Sequence, residues 1–211
     1  MKEIALFGGT GGTGKEVLQL ALNKGFRVKA LVRNPENLPV DHQNLTVVQG
    51  DVLNEMDVQK TIEGTDIVVS VFGHVKGSPE WLQTDGTKNI LKAMEQTGIN
   101  QILSLSGGGT PYPEKDKPKF IDKMIRGIMK IAVPKILNDA IRHTEVLRDS
   151  NMSWTVVRAP RLTNQPAKGN YKVTWVGVDA GTTLTRADLA DYIIRWVENP
   201  EHIGQMPFVT N

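Results

Sequence analysis

Seven consecutive residues near the start of the chain have the types and spacing needed to bind a phosphate group. They are Gly8-Gly9-Thr10-Gly11-Gly12-Thr13-Gly14. Gly8 permits a tight turn, Gly11 lets the backbone approach a pyrophosphate, and Gly14 lets a following helix pack closely. The free N–H groups at the start of such a helix attract an anion. The sequence therefore predicts that residues 8–14 bind the pyrophosphate of a dinucleotide.

A second phosphate-binding motif overlaps these glycines. Gly9, Gly14 and Lys15 have the spacing of a P-loop, in which a Ser or Thr after the Lys holds magnesium. Glu16 occupies that position, and its carboxylate would repel phosphates. The sequence also lacks an apolar strand that ends in an Asp suited to a second magnesium contact. We therefore favour a dinucleotide over a nucleoside triphosphate.

Alternating strand and helix patterns must position this turn. An apolar run at 4–7 predicts a strand before it, and helical periodicity resumes at Val17. Further strands are predicted at 26–32, 45–49, 66–72, 101–106, 154–158 and 208–209, and helices at 54–61, 78–97, 119–132, 138–149 and from 185 onward. This alternation predicts an α/β fold, a Rossmann-type doubly wound parallel sheet with helices on both faces. In such a sheet one rim would hold Gly8, Arg33, Asp51, Phe72, Gly73 and Ser106.

Composition limits the remaining possibilities. At 211 residues with 39% hydrophobic content, the chain is expected to form a single domain, 1–211. It contains no cysteine and only four scattered histidines, so we expect no disulfide and no metal site. The net charge is only +2, and the basic residues are spread along the chain, so the sequence gives nucleic-acid binding little support. No apolar stretch approaches the ~20 residues of a membrane span, and a cytoplasmic protein without membrane insertion is expected.

Arg33 follows the second predicted strand. In dinucleotide-binding folds, the residue at this position determines the selectivity for NAD or NADP. An acidic residue there takes the ribose hydroxyls of NAD, whereas an Arg pairs with the 2′-phosphate of NADP. The sequence therefore predicts NADP(H), with NAD(H) as a weaker possibility because Glu36 lies close by. The alternative is a solvated surface arginine.

Several short motifs together resemble the NmrA-like group of atypical short-chain dehydrogenase/reductases, which includes flavin reductases. The glycine turn matches the Gly-x-Thr-Gly-x-x-Gly turn of that group. The other matches are Leu31-Val32-Arg33, Gly50-Asp51-Val52-Leu53, Ser104-Leu105-Ser106, Val146-Leu147-Arg148-Asp149-Ser150, Ala159-Pro160-Arg161-Leu162 with Gln165-Pro166, and Arg186-Ala187-Asp188-Leu189-Ala190. They run from one end of the chain to the other.

The resemblance implies roles for individual residues. Asp51 and Val52 would contact the adenine, although Asp51 could instead cap the helix predicted at 54–61. The nicotinamide would lie near Gly73, Ser106 and Pro160. Ser106 and Arg161 are the candidate catalytic residues, and Arg161 would suit an anionic acceptor. A surface salt bridge is the alternative for Arg161.

The chain has no Tyr-x-x-x-Lys pair, which many short-chain reductases use to deliver a proton. Tyr112 has Asp116 at the required spacing. A flavin, quinone or tetrapyrrole can collect its proton from solvent, so we expect a reductase that acts on such a small-molecule acceptor. A non-catalytic NADP(H) sensor acting through a protein partner fits the same absence. A sugar-nucleotide epimerase is a third, less favoured reading.

The segment 118–137 contains a predicted basic amphipathic helix. Its basic residues are Lys119, Lys123, Arg126 and Lys130. Such a helix could touch an acidic membrane surface or a partner, but a lid or flank helix whose lysines extend along the protein surface is favoured, and its position suits a cover over the active site. Residues 159–184 are expected to form a substrate-side region. His74 and His143 have no evident partner in the sequence. We expect the protein to be a monomer or a small homo-oligomer.

Overall fold

The computed structural model describes residues 2–211, which form ten strands and six α-helices. The strands are β1 (Glu3–Phe7), β2 (Arg27–Val32), β3 (Leu45–Gln49), β4 (Ile67–Ser70), β5 (Gln101–Gly107), β6 (Ser153–Ala159), β7 (Arg161–Thr163), β8 (Lys172–Thr174), β9 (Thr183–Thr185) and β10 (Phe208–Thr210). The helices are α1 (Gly12–Asn23), α2 (Glu55–Ile62), α3 (Leu82–Thr97), α4 (Phe120–Ala132), α5 (Pro134–Arg148) and α6 (Arg186–Glu198).

Eight strands form one sheet in the order β3-β2-β1-β4-β5-β6-β10-β8. All neighbours in it are parallel except β10 and β8, which pair antiparallel at one edge. Strands β7 and β9 form a separate parallel pair. The chain order reverses between β1 and β4, and a crevice forms there at the carboxyl ends of the strands. The predicted fold class, a doubly wound parallel sheet, is confirmed.

Helices cover both faces of the sheet, and this explains why its central strands are apolar on both sides. Ile4 and Leu6 of β1 face a core that includes residues of α1 and α6. Ala5 and Phe7 face the opposite core, which includes residues of α2 and α3. Strands buried on both faces hold the rim of the sheet in a fixed position. The glycine turn after β1 is attached directly to that rim.

Three predicted boundaries were wrong. The helix predicted from residue 78 begins at Leu82, because Ser78 belongs to a turn in which its hydroxyl accepts a hydrogen bond from the Val75 N–H at 2.9 Å. The helix predicted from residue 138 begins at Pro134, since proline suits a first helical turn. The strand predicted over 66–72 is limited to Ile67–Ser70. The short strands β7, β8 and β9 lie in the region 159–184, where none was predicted.

Among residues 2–211, none of the helices has both the length and the apolar character that crossing a membrane requires.

Candidate functional site

A cavity of about 300 Å³ lies at the carboxyl ends of the first four strands. Nine of the twelve predicted cofactor-binding residues line it: Gly8, Thr10, Gly11, Gly12, Arg33, Asp51, Val52, Phe72 and Gly73. Its wall also includes His74 and Leu82. The three others, Thr13, Gly14 and Pro160, lie outside the lining. The fold therefore brings together residues from four separate segments, as the parallel topology requires.

The glycine turn forms the floor of this cavity. Gly8 has a φ of 93°, and a Cβ there would lie 2.5 Å from the Phe72 nitrogen. A Cβ on Gly14 would lie 2.0 Å from the Gly8 oxygen, so helix α1 packs directly on the turn. Within residues 2–211 no side chain caps the start of α1, at Gly11. Its first N–H groups therefore remain available to an anion.

Arg186 stands over the start of α1, a position that the sequence did not reveal. A Cβ on Gly12 would come within 2.7 Å of the Arg186 Nε. The Arg186 Nη1 donates a hydrogen bond to the Asn164 Oδ1 at 2.6 Å, which holds the guanidinium in place. Arg186 begins helix α6, far away in sequence, and only the fold brings it to the turn. The candidate phosphate site thus combines a helix N-terminus with a guanidinium.

Arg33 follows β2 and is exposed at the mouth of the cavity. It forms no ion pair with any carboxylate in residues 2–211. The carboxylate of the nearby Glu36 forms no ion pair within residues 2–211 either. The backbone N–H of Glu36 donates a hydrogen bond to the Asn34 Oδ1, at 3.1 Å. The Arg33 guanidinium is therefore free to pair with a ligand anion.

Asp51 is not the cap of helix α2. Asn54 has that role, since its Oδ1 accepts hydrogen bonds from the N–H groups of Met56 at 3.0 Å and Asp57 at 3.3 Å. Asp51 accepts from the Leu53 N–H at 2.9 Å through its Oδ1. No donor within residues 2–211 bonds its other carboxylate oxygen, which can accept a hydrogen bond from a ligand. The capping alternative for Asp51 was wrong.

His74, which had no evident partner in the sequence, contacts a buried carboxylate. Its Nε2 lies 2.6 Å from the Asp139 Oδ2 on helix α5. Asp139 also accepts from the Gln83 N–H at 2.7 Å and the Thr84 N–H at 2.9 Å. Burial raises the pKa of Asp139, but hydrogen bonds from Thr84, Gln83 and His74 outweigh it and hold that pKa below its usual value. The carboxylate is thus ionised, and it fixes the His74 ring in the cavity wall with Nε2 as the donor.

The two candidate catalytic residues lie farther along the rim. Ser106 is buried near the end of β5, and its Oγ lies 2.9 Å from the Thr110 Oγ1. Strands β5 and β6 pair Gly107 with Ala159, so Pro160 follows at the same carboxyl edge. Arg161 begins β7 and is exposed. Neither Ser106 nor Arg161 lines the cavity described above.

No tyrosine in residues 2–211 has the lowered pKa that a proton-delivering phenol needs. Burial and the nearby Glu114 raise the pKa of Tyr112. Burial and a hydrogen bond to Asp191 raise the pKa of Tyr171, and burial raises that of Tyr192. All three phenols therefore hold their protons more tightly than a free tyrosine.

Asp116, the residue at the lysine position of the missing pair, forms a buried ion pair with Arg158. The two guanidinium nitrogens Nη1 and Nη2 of Arg158 each lie 2.7 Å from an Asp116 carboxylate oxygen. The Arg158 Nη1 also donates a hydrogen bond to the backbone carbonyl oxygen of Thr110 at 2.9 Å. This pair ties the loop after β5 to strand β6 beside Ser106.

A second groove, of about 350 Å³, lies between helices α1 and α6. Its lining includes three acidic residues, Glu16, Asp188 and Asp191, one cation, Arg195, which pairs with Asp191, and none of the glycines of the turn. Its acidic residues outnumber its one cation and would repel phosphate groups, so this groove does not suit a dinucleotide. The cavity at the glycine turn is the better candidate.

Comparison with known proteins agrees with this geometry. Residues 8–200 match the family model described as NAD(P)H-binding. An Arabidopsis thaliana protein named At2g34460, chloroplastic, is 26% identical over 181 residues, and the alignment spans 80% of this chain but only 62% of that protein. A short-chain dehydrogenase/reductase from Veillonella parvula, solved in complex with NADP, superposes with a TM-score of 0.81 at 17% identity, covering 100% of this chain and 94% of its own. ChuY from Escherichia coli O157:H7, described as an anaerobillin reductase, superposes at 0.79 with 18% identity, covering 100% and 97%.

Proposed function

Because the chain belongs to the NAD(P)H-binding family, we propose that it is an NADP(H)-dependent reductase that transfers hydride to a flavin, quinone or tetrapyrrole-like acceptor. The family and the NAD(P)H cofactor predicted from the sequence are confirmed by that match. The structural likeness to the NADP-bound protein from Veillonella parvula supports an enzyme of the short-chain dehydrogenase/reductase class. The observation that carries the choice of NADP(H) is the exposed Arg33, free of any ion pair within residues 2–211, at the mouth of the cavity.

The cavity residues have complementary tasks in this proposal. The N–H groups at the start of α1 and the Arg186 guanidinium hold the pyrophosphate. Arg33 pairs with the 2′-phosphate, and Asp51 with Val52 takes the adenine. When bound, the cofactor supplies the hydride. The chain orients it against an acceptor near Ser106 and Arg161, so proximity provides most of the rate enhancement.

The acceptor class follows from the proton that each reduction needs. The raised pKa values of Tyr112, Tyr171 and Tyr192 argue against proton delivery by a phenol. Flavins, quinones and tetrapyrroles can take their proton from solvent. The exposed guanidinium of Arg161 suits an anionic group such as a flavin phosphate or a propionate. The structural likeness to ChuY supports a tetrapyrrole among these.

A non-catalytic NADP(H) sensor is the alternative. It needs the same cavity and the same Arg33 contact, but it needs no acceptor site. The exposed apolar face of helix α4 offers a surface for a protein partner. Turnover distinguishes the two functions, because only a reductase consumes NADPH.

The test is NADPH consumption, followed by the loss of its near-ultraviolet absorbance, with free FMN, biliverdin or a water-soluble quinone as acceptor. We expect saturable turnover above the protein-free rate with at least one of them. Arg161→Gln should lower kcat/KM about tenfold or more for an anionic acceptor and leave the Kd of NADPH unchanged. Arg195→Gln, an exposed arginine on α6, is the matched control. Tight binding without consumption would favour the sensor, and no binding would contradict both functions.

A further inference from the structure

Helix α4 presents its entire apolar face to solvent. No residue of this helix is buried. Six of its apolar side chains are between 44% and 86% exposed: Phe120, Ile121, Met124, Ile125, Ile128 and Ile131. Their spacing places them on one side of the helix. Met129 points the other way, toward the body, since a Cβ on Gly109 would lie 2.8 Å from its Cε.

An apolar surface of this size calls for an occupant. Single exposed apolar residues are ordinary on protein surfaces, and Met56, which is 66% exposed on α2, is one of them. A contiguous face of six is different, because such patches mark sites of association. The surface extends onto α5 through Ile136, which is 43% exposed.

The charges around this face are basic. The exposed cations without an ion pair in residues 2–211 are Lys117, Lys119, Lys123 and Lys130, whereas Lys135 pairs with Glu80 at 3.4 Å. The one acid of α4, Asp122, accepts a hydrogen bond from the Lys119 N–H at 2.8 Å. The acids that precede the helix are also engaged, Glu114 with Arg148 and Asp116 with Arg158. The segment is therefore locally cationic, although the whole chain has a net charge of only +2.

We propose that helix α4 docks on an anionic phospholipid surface. It would lie in the plane of the interface, with its apolar side chains at the boundary of headgroups and acyl chains. The lysines would reach along the surface to the lipid phosphates. Charge complementarity favours this occupant over a second copy of the chain, because a second copy would present the same cations. The proposal does not depend on any cofactor or acceptor.

The test is co-sedimentation of the full chain with lipid vesicles. One set contains phosphatidylcholine alone, and the other contains about one third phosphatidylglycerol. We expect at least about tenfold stronger binding to the anionic vesicles, falling as salt is raised. The double variant Ile128→Ser/Ile131→Ser should lose about tenfold or more of this binding. Both side chains are exposed, 57% and 86%, so the variant should fold, and circular dichroism would verify that.

Two controls make the outcome decisive. Met56→Ser removes an exposed apolar side chain outside the α4 face and should bind vesicles like the unmodified protein. Lys119→Glu/Lys123→Glu keeps the apolar face and should abolish the preference for anionic vesicles. No binding to either vesicle, or equal binding to both, would overturn the proposal. Patch-dependent dimers in sedimentation equilibrium without vesicle binding would assign the face to a second copy instead.

Discussion

Arg33 is the residue on which cofactor selectivity depends in the proposed reductase. Its guanidinium is exposed beside the cavity and forms no ion pair within residues 2–211. Arg33→Ala should raise the Kd of NADPH about tenfold to a hundredfold, because a hydrogen-bonded charge pair is lost. The Kd of NADH, which has no 2′-phosphate, should change less than about threefold. Titration followed by nicotinamide fluorescence measures both.

The control for Arg33 lies on the strand that precedes it. Arg27, at the opposite end of β2, pairs with Glu3 at the surface, and Arg27→Ala should change neither affinity. Equal losses for NADPH and NADH in Arg33→Ala would remove the argument for NADP.

At the residue scale the sequence predicted the glycine turn and Arg33, since local chemistry alone points to them. It missed Arg186 and the His74–Asp139 contact, because only the packing of α5 and α6 creates them.

A buried ion pair strengthens the attachment of the loop after β5 to strand β6. Asp116 bonds Arg158, whose side chain is 0% exposed, and it also accepts from the Tyr112 N–H at 2.8 Å and the Val176 N–H at 3.1 Å. Asp116→Ala would leave the guanidinium buried without a counter-ion. We expect the free energy of unfolding to fall by about 3–5 kcal/mol. Urea denaturation measures it.

A surface pair provides the comparison for Asp116. Asp85 and Lys88 of α3 pair at 3.2 Å with both side chains about half exposed, and Asp85→Ala should cost at most about 1 kcal/mol. Similar losses in the two variants would show that burial does not strengthen the Asp116 contact.

At the element scale, the sequence predicted the long helices and central strands from their periodicity. Strands β7 to β9 escaped prediction because each has only three residues and lies in a stretch interrupted by Pro, Gly and polar residues, so no apolar run marks them as it marks the equally short β10.

For the whole molecule, the order of elements was enough to predict the fold. Strands alternating with helices leave few topologies, and the right-handed crossover rule selects the doubly wound sheet. What the order cannot predict is which polar groups the two cores enclose. Asp139 and His143 lie on the buried side of α5 beside Leu137 and Leu147. These buried polar groups connect the stability of the whole molecule to pH.

His143 should make the protein lose stability in mild acid. It is 1% exposed, and its Nδ1 is buried without a partner within residues 2–211. Burial lowers the pKa of His143 to about 4, although the Asp139 carboxylate acts in the opposite direction. Between the usual histidine pKa of 6.5 and this value the unfolded chain binds a proton that the folded protein does not. The free energy of unfolding should therefore fall by about 2 kcal/mol from pH 7 to about pH 4.5 on account of this residue.

Urea denaturation at the two pH values, on the protein and on His143→Gln, tests this expectation. The variant has no titrating imidazole at this position, so its loss on acidification should be smaller by about 2 kcal/mol, whatever its stability at pH 7. The lowered pKa of Asp139 does not mimic the effect, because that carboxylate gives up its stabilising contribution only at lower pH. Proton NMR gives a second reading, in which the His143 ring of the folded protein should not titrate above about pH 5. An imidazole that titrates near its ordinary pKa, together with an unchanged acid response in the variant, would mean that α5 opens to solvent.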